Sequence, residues 1–270
     1  MEENKIGGVQ VDAILECREV SKTFGDFLAL NKLSFTVPRG SIFGIAGPNG
    51  AGKTTLFNVI TCNPFTLSSG KVIFEGEEIQ IIKPYEIVYR GIARTFQIPV
   101  IFRNLTYLKS VMVGSVYGNL TNLRQNIFGF DRRRYERNAL DALERVNLTS
   151  KKNDSTAHAS LYDLKLLMMA SAIATKPKLL LLDEPISGLT DHEIELMWES
   201  ILKMHKETDV TLVIIEHIMK FLMNVSNEVM ILNFGELICQ GKPEMVANDQ
   251  EVIKCYLGEE YKEVFKNVKV

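Results

Sequence analysis

The stretch of this 270-residue sequence densest in chemistry is Gly47-Pro48-Asn49-Gly50-Ala51-Gly52-Lys53-Thr54-Thr55. Gly47, Gly52, Lys53 and Thr54 satisfy the spacing G-x-x-x-x-G-K-[ST] in full. Each residue type has a physical reason. Glycines let the backbone wrap around a phosphate in conformations that a Cβ forbids. The amide N–H groups of the loop and of the helix start then point at the anion. Lys53 supplies a point charge for terminal phosphates, and the Thr54 hydroxyl suits Mg2+. Asn49, Gly50 and Thr55 belong to the same cradle. An apolar run at 41–46 leads in and a helical pattern at 53–61 leads out, which is the strand–loop–helix setting such a loop needs.

A second group is acidic. The apolar run 178–182 ends in Asp183-Glu184-Pro185, and a carboxylate at the carboxyl end of a buried strand faces the crevice where ligands bind in open α/β sheets. Asp183 is placed to hold Mg2+ and Glu184 to polarise an attacking water as general base. His217 follows a further apolar run at 210–215. It is either an ordinary exposed or structural histidine or a donor to a terminal phosphate. Gln97, in Ala93-Arg94-Thr95-Phe96-Gln97, is either a polar loop residue or a ligand of metal or water. Phe24 is either core or a face on which a base stacks.

These groups require elements to hold them. Strands are predicted at 13–20, 33–37, 41–46, 71–74, 178–182, 210–215, 228–232 and 237–240, alternating with helical segments, and this argues for an α/β chain. The interval 105–168 reads as helical with no strand, and 243–256 carries helical spacing. Arg132, Arg133, Arg134 and Arg137 lie among Glu136, Asp141 and Glu144, the pattern of a solvated helix face. Hydrophobic residues make up 46% and charged residues 24% of the chain, and the net charge is −2; this excludes disorder as the main state and gives no basic footprint for nucleic acid. The polar start and the lack of any run of about 18 apolar residues predict neither a leader nor a membrane span, hence a cytoplasmic chain that reaches a membrane only by docking. Cys17, Cys62, Cys239 and Cys255 are scattered and read as free thiols.

Taken together, the aromatic residue, phosphate loop, glutamine segment, acidic strand end and histidine, in that order, resemble the ABC ATPase family over nearly the whole chain. The resemblance implies a P-loop NTPase (RecA-like) core with a small antiparallel β subdomain and an inserted helical subdomain. The corresponding division is a tail at 1–12, a core at 13–97 and 169–235, the helical subdomain at 98–168, and C-terminal strand and helices at 236–270. It gives Phe24 the adenine-stacking place, Gln97 the Mg2+ and signalling place, and His217 the switch place, with ATP and Mg2+ as cofactors. The segments GIARTFQIPVIFRNLT, IEHIMKFLMNVSNEVMILNFGELICQGKP and VANDQEVIKCYLGEE resemble the ATPases of branched-chain amino acid importers. That subgroup implies a pair of unlike ATPase subunits under two membrane permeases, fed by a solute-binding protein, with the ATPases peripheral on the inner face of the membrane.

The sequence departs from the family at its signature, LSGGQ or LSYGQ, whose positions fall on Ala159, Ser160, Leu161, Tyr162 and Asp163. Only the serine is retained, and both glycine positions carry side chains. In the family this helix start holds the γ-phosphate bound by the opposite subunit, so Ser160 is the remaining contact and Tyr162 is expected to obstruct closure. An asymmetric pair follows, in which this chain's own loop hydrolyses ATP and its signature is deficient. The alternatives are a non-hydrolytic ATP-binding or regulatory subunit and an ATPase of a different transport system.

Overall fold

A computed structural model describes residues 5–6, 9–10, 12–118 and 131–255. The expected tail at 1–12 and the end of the chain past 255 therefore lie largely outside the described residues, as do 119–130 within the expected helical subdomain. The chain forms two compact units, one from residues 1–82 and 217–270, the other from 83–216.

In the first unit, the strands Ala13–Phe24 and Phe27–Pro38 pair antiparallel across a two-residue turn at Gly25-Asp26. Strand Ser69–Phe74 pairs with the far edge of the first of them, and the short strand Glu77–Glu78 closes a four-stranded antiparallel sheet. The two long strands exceed their predicted lengths. Bulges near Cys17–Val20 and positive φ at Glu19 and Lys32 break the two-residue alternation that marks a strand in sequence. Leu15, Leu30, Leu33 and Val37 are buried from this sheet. Strand Ile42–Ala46 is buried at all five residues and runs parallel to Glu228–Asn233, which pairs antiparallel with Glu236–Gly241. Helix Lys53–Ile60 follows the first of these strands through the loop 47–52 and buries Leu56, Phe57, Val59 and Ile60.

The predicted helix at 243–256 is two helices, Pro243–Ala247 and Gln250–Cys255. The Asp249 carboxylate accepts from the N–H groups of Glu251 and Val252, at 2.8 and 3.1 Å. It caps the second helix and so ends the continuous pattern.

In the second unit, three parallel strands stand in the order Ile92–Arg94, Leu179–Asp183, Thr211–Ile215. The last two are buried at every residue, the pattern of a sheet covered on both faces. Helix Asp191–Thr208 connects them and opens on a reciprocal capping box between Thr190 and Glu193. Helices Tyr107–Gly118, Arg132–Arg145 and Leu161–Ile173 pack on one another, and Val111, Tyr135, Ala139, Leu143, Leu166, Leu167 and Ala170 are buried on them. Arg132, Arg133, Arg134 and Arg137 are exposed on the second of these, as a solvated face requires. Helix Leu161–Ile173 runs unbroken through 168/169, where the sequence reading ended the helical segment. All four cysteines are free, with Cys17 and Cys62 buried.

Candidate active site

In the first unit the loop 47–52 is shaped by what surrounds its glycines. A Cβ on Gly47 would lie 2.2 Å from the Leu232 carbonyl oxygen. At Gly52, φ is +99° and a Cβ would lie 2.7 Å from the Ala29 carbonyl oxygen. Gly52 also serves as N-cap of the helix Lys53–Ile60. Asn49, Gly50 and Thr54 are exposed and Thr55 is half-buried. The Lys53 side chain is buried and donates to the carbonyls of Gly47 and Pro48, at 2.7 and 3.0 Å, so its ammonium is held within the loop it follows. At the tip of the long hairpin, Phe24 is 40% exposed and meets the edge of Phe65 at 4.8 Å. The Lys22 ammonium lies over both rings, at 5.0 and 4.9 Å, a cationic aromatic corner. His217 is exposed just before the helix Met219–Val225.

In the second unit the acidic residues stand at the carboxyl end of Leu179–Asp183. Asp183 is buried, and its Oδ2 accepts from the Arg94 guanidinium at 2.8 Å, an ion pair with both side chains nearly closed to solvent. The register places Arg94 opposite Leu181 on the neighbouring strand, on the face Asp183 shares by two-residue alternation. Asp183 Oδ1 is buried without a hydrogen-bond partner. A buried carboxylate oxygen left over from an ion pair costs free energy unless something polar reaches it. It therefore fits a divalent cation or its bound water, and Asp183 is suited to Mg2+ on this ground.

Glu184 adopts φ +45°, unusual for a side-chain-bearing residue. Its Oε2 accepts from the Gln97 amide at 2.6 Å, which joins two of the residues singled out in the sequence. Its backbone N–H donates to the Ile215 carbonyl at 3.0 Å, and its carbonyl accepts from the Lys165 ammonium at 2.8 Å. Lys165 is 2% exposed, and burial pushes its pKa down while Glu216, Glu184 and Asp183 pull it up. Glu216 is fully buried and accepts from the Ile186 N–H at 2.9 Å.

Ser160 is the N-cap of the helix Leu161–Ile173, and its side chain accepts from the Asp163 N–H at 3.1 Å. The Asp163 carboxylate turns inward, accepting from Tyr107 Oη at 3.0 Å and Lys151 Nζ at 2.6 Å. The Tyr162 side chain is half-buried, and burial pushes its phenol pKa up. Leu161 is the residue that stands out, 40% exposed and lying beside Gly188.

Arg94, Lys165 and Glu216 were missed as site residues by sequence reasoning. The signal for Lys165 was present: a single charge inside the otherwise apolar run Leu164-Lys165-Leu166-Leu167 must find a partner.

An α/β fold carrying this loop and this acidic strand end defines an ATP-binding ATPase of the P-loop class. The family model described as "ABC transporter" matches residues 30–187, more than half of the sequence, and the chain belongs to that family. A second model, "Branched-chain amino acid ATP-binding cassette transporter", matches residues 236–262. The chain is 35% identical over 251 residues to the high-affinity branched-chain amino acid transport ATP-binding protein BraF of Pseudomonas aeruginosa, covering 91% of this chain and 98% of that one. It is 32% identical to the probable branched-chain amino acid transport ATP-binding protein LivG of Archaeoglobus fulgidus, covering 93% and 98%. Among solved structures it resembles the ADP conformation of MJ1267, an ATP-binding cassette of an ABC transporter, with a TM-score of 0.80 and 29% identity over 92% of this chain and 99% of that one. No helix among the described residues is long and apolar enough to cross a membrane.

Proposed function

We propose that this chain is an ATP-hydrolysing subunit that powers uptake of branched-chain amino acids or similar small solutes, and that it works opposite an unlike ATPase subunit. The substrate class rests on the match at 236–262 and on the names of the relatives. It carries with it two membrane permeases, an upstream solute-binding protein, and a place on the inner face of the membrane reached through those permeases.

The observation that carries the hydrolytic reading is the acidic strand end, where Asp183 keeps one buried oxygen unpartnered and Glu184 holds its carboxylate against the Gln97 amide. In this reading Gly47, Asn49, Gly50, Gly52, Lys53, Thr54 and Thr55 hold the phosphates, and Phe24 takes the adenine. Thr54, Gln97 and Asp183 are the residues for Mg2+, which screens charge on the transferring phosphoryl oxygens. Glu184 accepts a proton from the attacking water, Lys53 stabilises charge on the terminal phosphate, and His217 donates to it. Gln97 now donates to Glu184, so if it served Mg2+ that bond would be given up and the Glu184 carboxylate would be free to accept from water. Glu184→Gln in the full complex should trap ATP without turnover; unchanged hydrolysis would remove Glu184 from the base role.

The unlike partner rests on a different observation. In the family's signature the helix start must approach a phosphate through backbone N–H groups, and here Tyr162 stands where LSGGQ and LSYGQ both have glycine, next to an exposed Leu161. Ser160 remains as a polar group there, already spent in part on capping. The site made from this chain's loop and a partner's intact signature then hydrolyses ATP. The reciprocal site, made with Ser160–Asp163, mainly binds it. A non-hydrolytic role for the whole chain is the second reading, favoured by the same departures at Leu161, Tyr162 and Asp163.

A further inference from the structure

A buried ammonium with no part in the roles assigned above links two segments that the proposed mechanism treats separately. Lys165 lies one turn into the helix Leu161–Ile173, whose start at Ser160 is assigned to the partner's nucleotide. Its Nζ donates to the backbone carbonyl of Glu184 at 2.8 Å. That carbonyl also accepts from the Ser187 N–H, at 3.3 Å. Glu184 is held in a left-handed conformation at φ +45°, which for a residue with a side chain persists only when neighbouring bonds enforce it. Among the bonds around it are the N–H to Ile215 on one side and, on the other, the carbonyl to the Ser187 N–H and to Lys165, which alone of these is a side chain, from the helix Leu161–Ile173. The backbone conformation sets the Cα–Cβ direction from which the Glu184 side chain reaches the Gln97 amide, and the ammonium also opposes the negative charge of Glu216, Glu184 and Asp183.

We infer that Lys165 is a positioning residue for hydrolysis: by bonding the Glu184 carbonyl, it aims the Glu184 carboxylate and ties that aim to the seating of the helix Leu161–Ile173. The inference rests on the assignment of Glu184 as general base. Lys165 touches neither water nor phosphate in this account; it acts through the peptide of Glu184. A glutamine at this position keeps a donor for the carbonyl and removes the charge, whereas methionine removes both.

The test compares Lys165→Gln, Lys165→Met and Glu184→Gln in the complete transporter complex, with kcat and KM for ATP measured for each. Binding of a fluorescent ATP analogue without Mg2+ and thermal unfolding are measured on the purified chain. Lys165→Met should lower kcat by about 10–100-fold, the scale of a lost charge-assisted bond or of a displacement near 1 Å, with KM and analogue affinity within about twofold. Lys165→Gln should recover most of that loss. Full kcat in Lys165→Met, with Glu184→Gln inactive, would overturn the inference and leave the base assignment standing. Unchanged kcat in Glu184→Gln would remove both. Equal loss of kcat in the glutamine and methionine variants would show that the charge, not the bond, is what matters, and loss of analogue binding together with melting would show a purely structural role; either contradicts the inference.

Discussion

At the scale of single residues, the phosphate loop is constrained from outside as much as by its own chemistry. Gly52 has no room for a methyl group beside the Ala29 carbonyl and sits at φ +99°. Gly52→Ala should cost about 1–3 kcal/mol through backbone strain alone, seen as a lower unfolding midpoint together with weaker ATP binding. The ion pair between Arg94 and Asp183 makes a second case. Its two side chains are 6% and 3% exposed, so removing the arginine strands a buried carboxylate. Arg94→Met should destabilise the chain by about 3–5 kcal/mol, the usual penalty for breaking a buried pair from one side. A smaller loss in denaturant titration would mean that water reaches Asp183 once the guanidinium is gone.

Elements show where sequence was legible and where it was not. The strands Ile42–Ala46, Leu179–Asp183 and Thr211–Ile215 were readable to within a residue, because burial on both faces writes them as uninterrupted apolar runs. The hairpin Ala13–Phe24/Phe27–Pro38 was half-readable, because its bulges shift the alternation that a strand relies on. The partners of Lys165 and Arg94 were not readable at all: each bond spans many residues in sequence, 19 for Lys165–Glu184 and 89 for Arg94–Asp183. Loop residues 47–55, by contrast, declare their chemistry through local spacing, and Asp183 and Glu184 through their place after a strand. Thr190 caps the helix Asp191–Thr208 reciprocally with Glu193. Thr190→Ala should remove about 0.5–2 kcal/mol, a fall in Tm of about 2–4 °C per kcal/mol in a chain of this size, and scanning calorimetry can resolve it.

For the whole molecule, the proposed pairing makes hydrolysis depend on what the opposite subunit brings. A helix start attracts an anion through its first N–H groups, and a side chain standing over them keeps the anion away. In the proposed pairing that side chain is Tyr162, at the position that is glycine in both LSGGQ and LSYGQ, while the neighbouring Asp163 carboxylate is engaged by Tyr107 and Lys151. Tyr162→Gly should therefore raise turnover of the chain paired with itself, and Leu161→Gly should do so less, because LSYGQ carries a side chain at that position. Equal stimulation by both, or none from Tyr162→Gly, would place the defect elsewhere in the segment. In the proposed pair ATP favours closure because only the closed state would contact it from both sides.

The central claim is that this chain hydrolyses ATP with its own Lys53 and Glu184 when an unlike partner supplies an intact signature. The most direct measurement is the ATPase rate of the purified chain alone and then with its partner ATPase, with Lys53→Ala as control in both. The account predicts near silence alone and Lys53-dependent turnover in the mixed pair. Robust Lys53-dependent turnover by the chain alone would contradict it, because Ser160–Asp163 would then serve as a working signature.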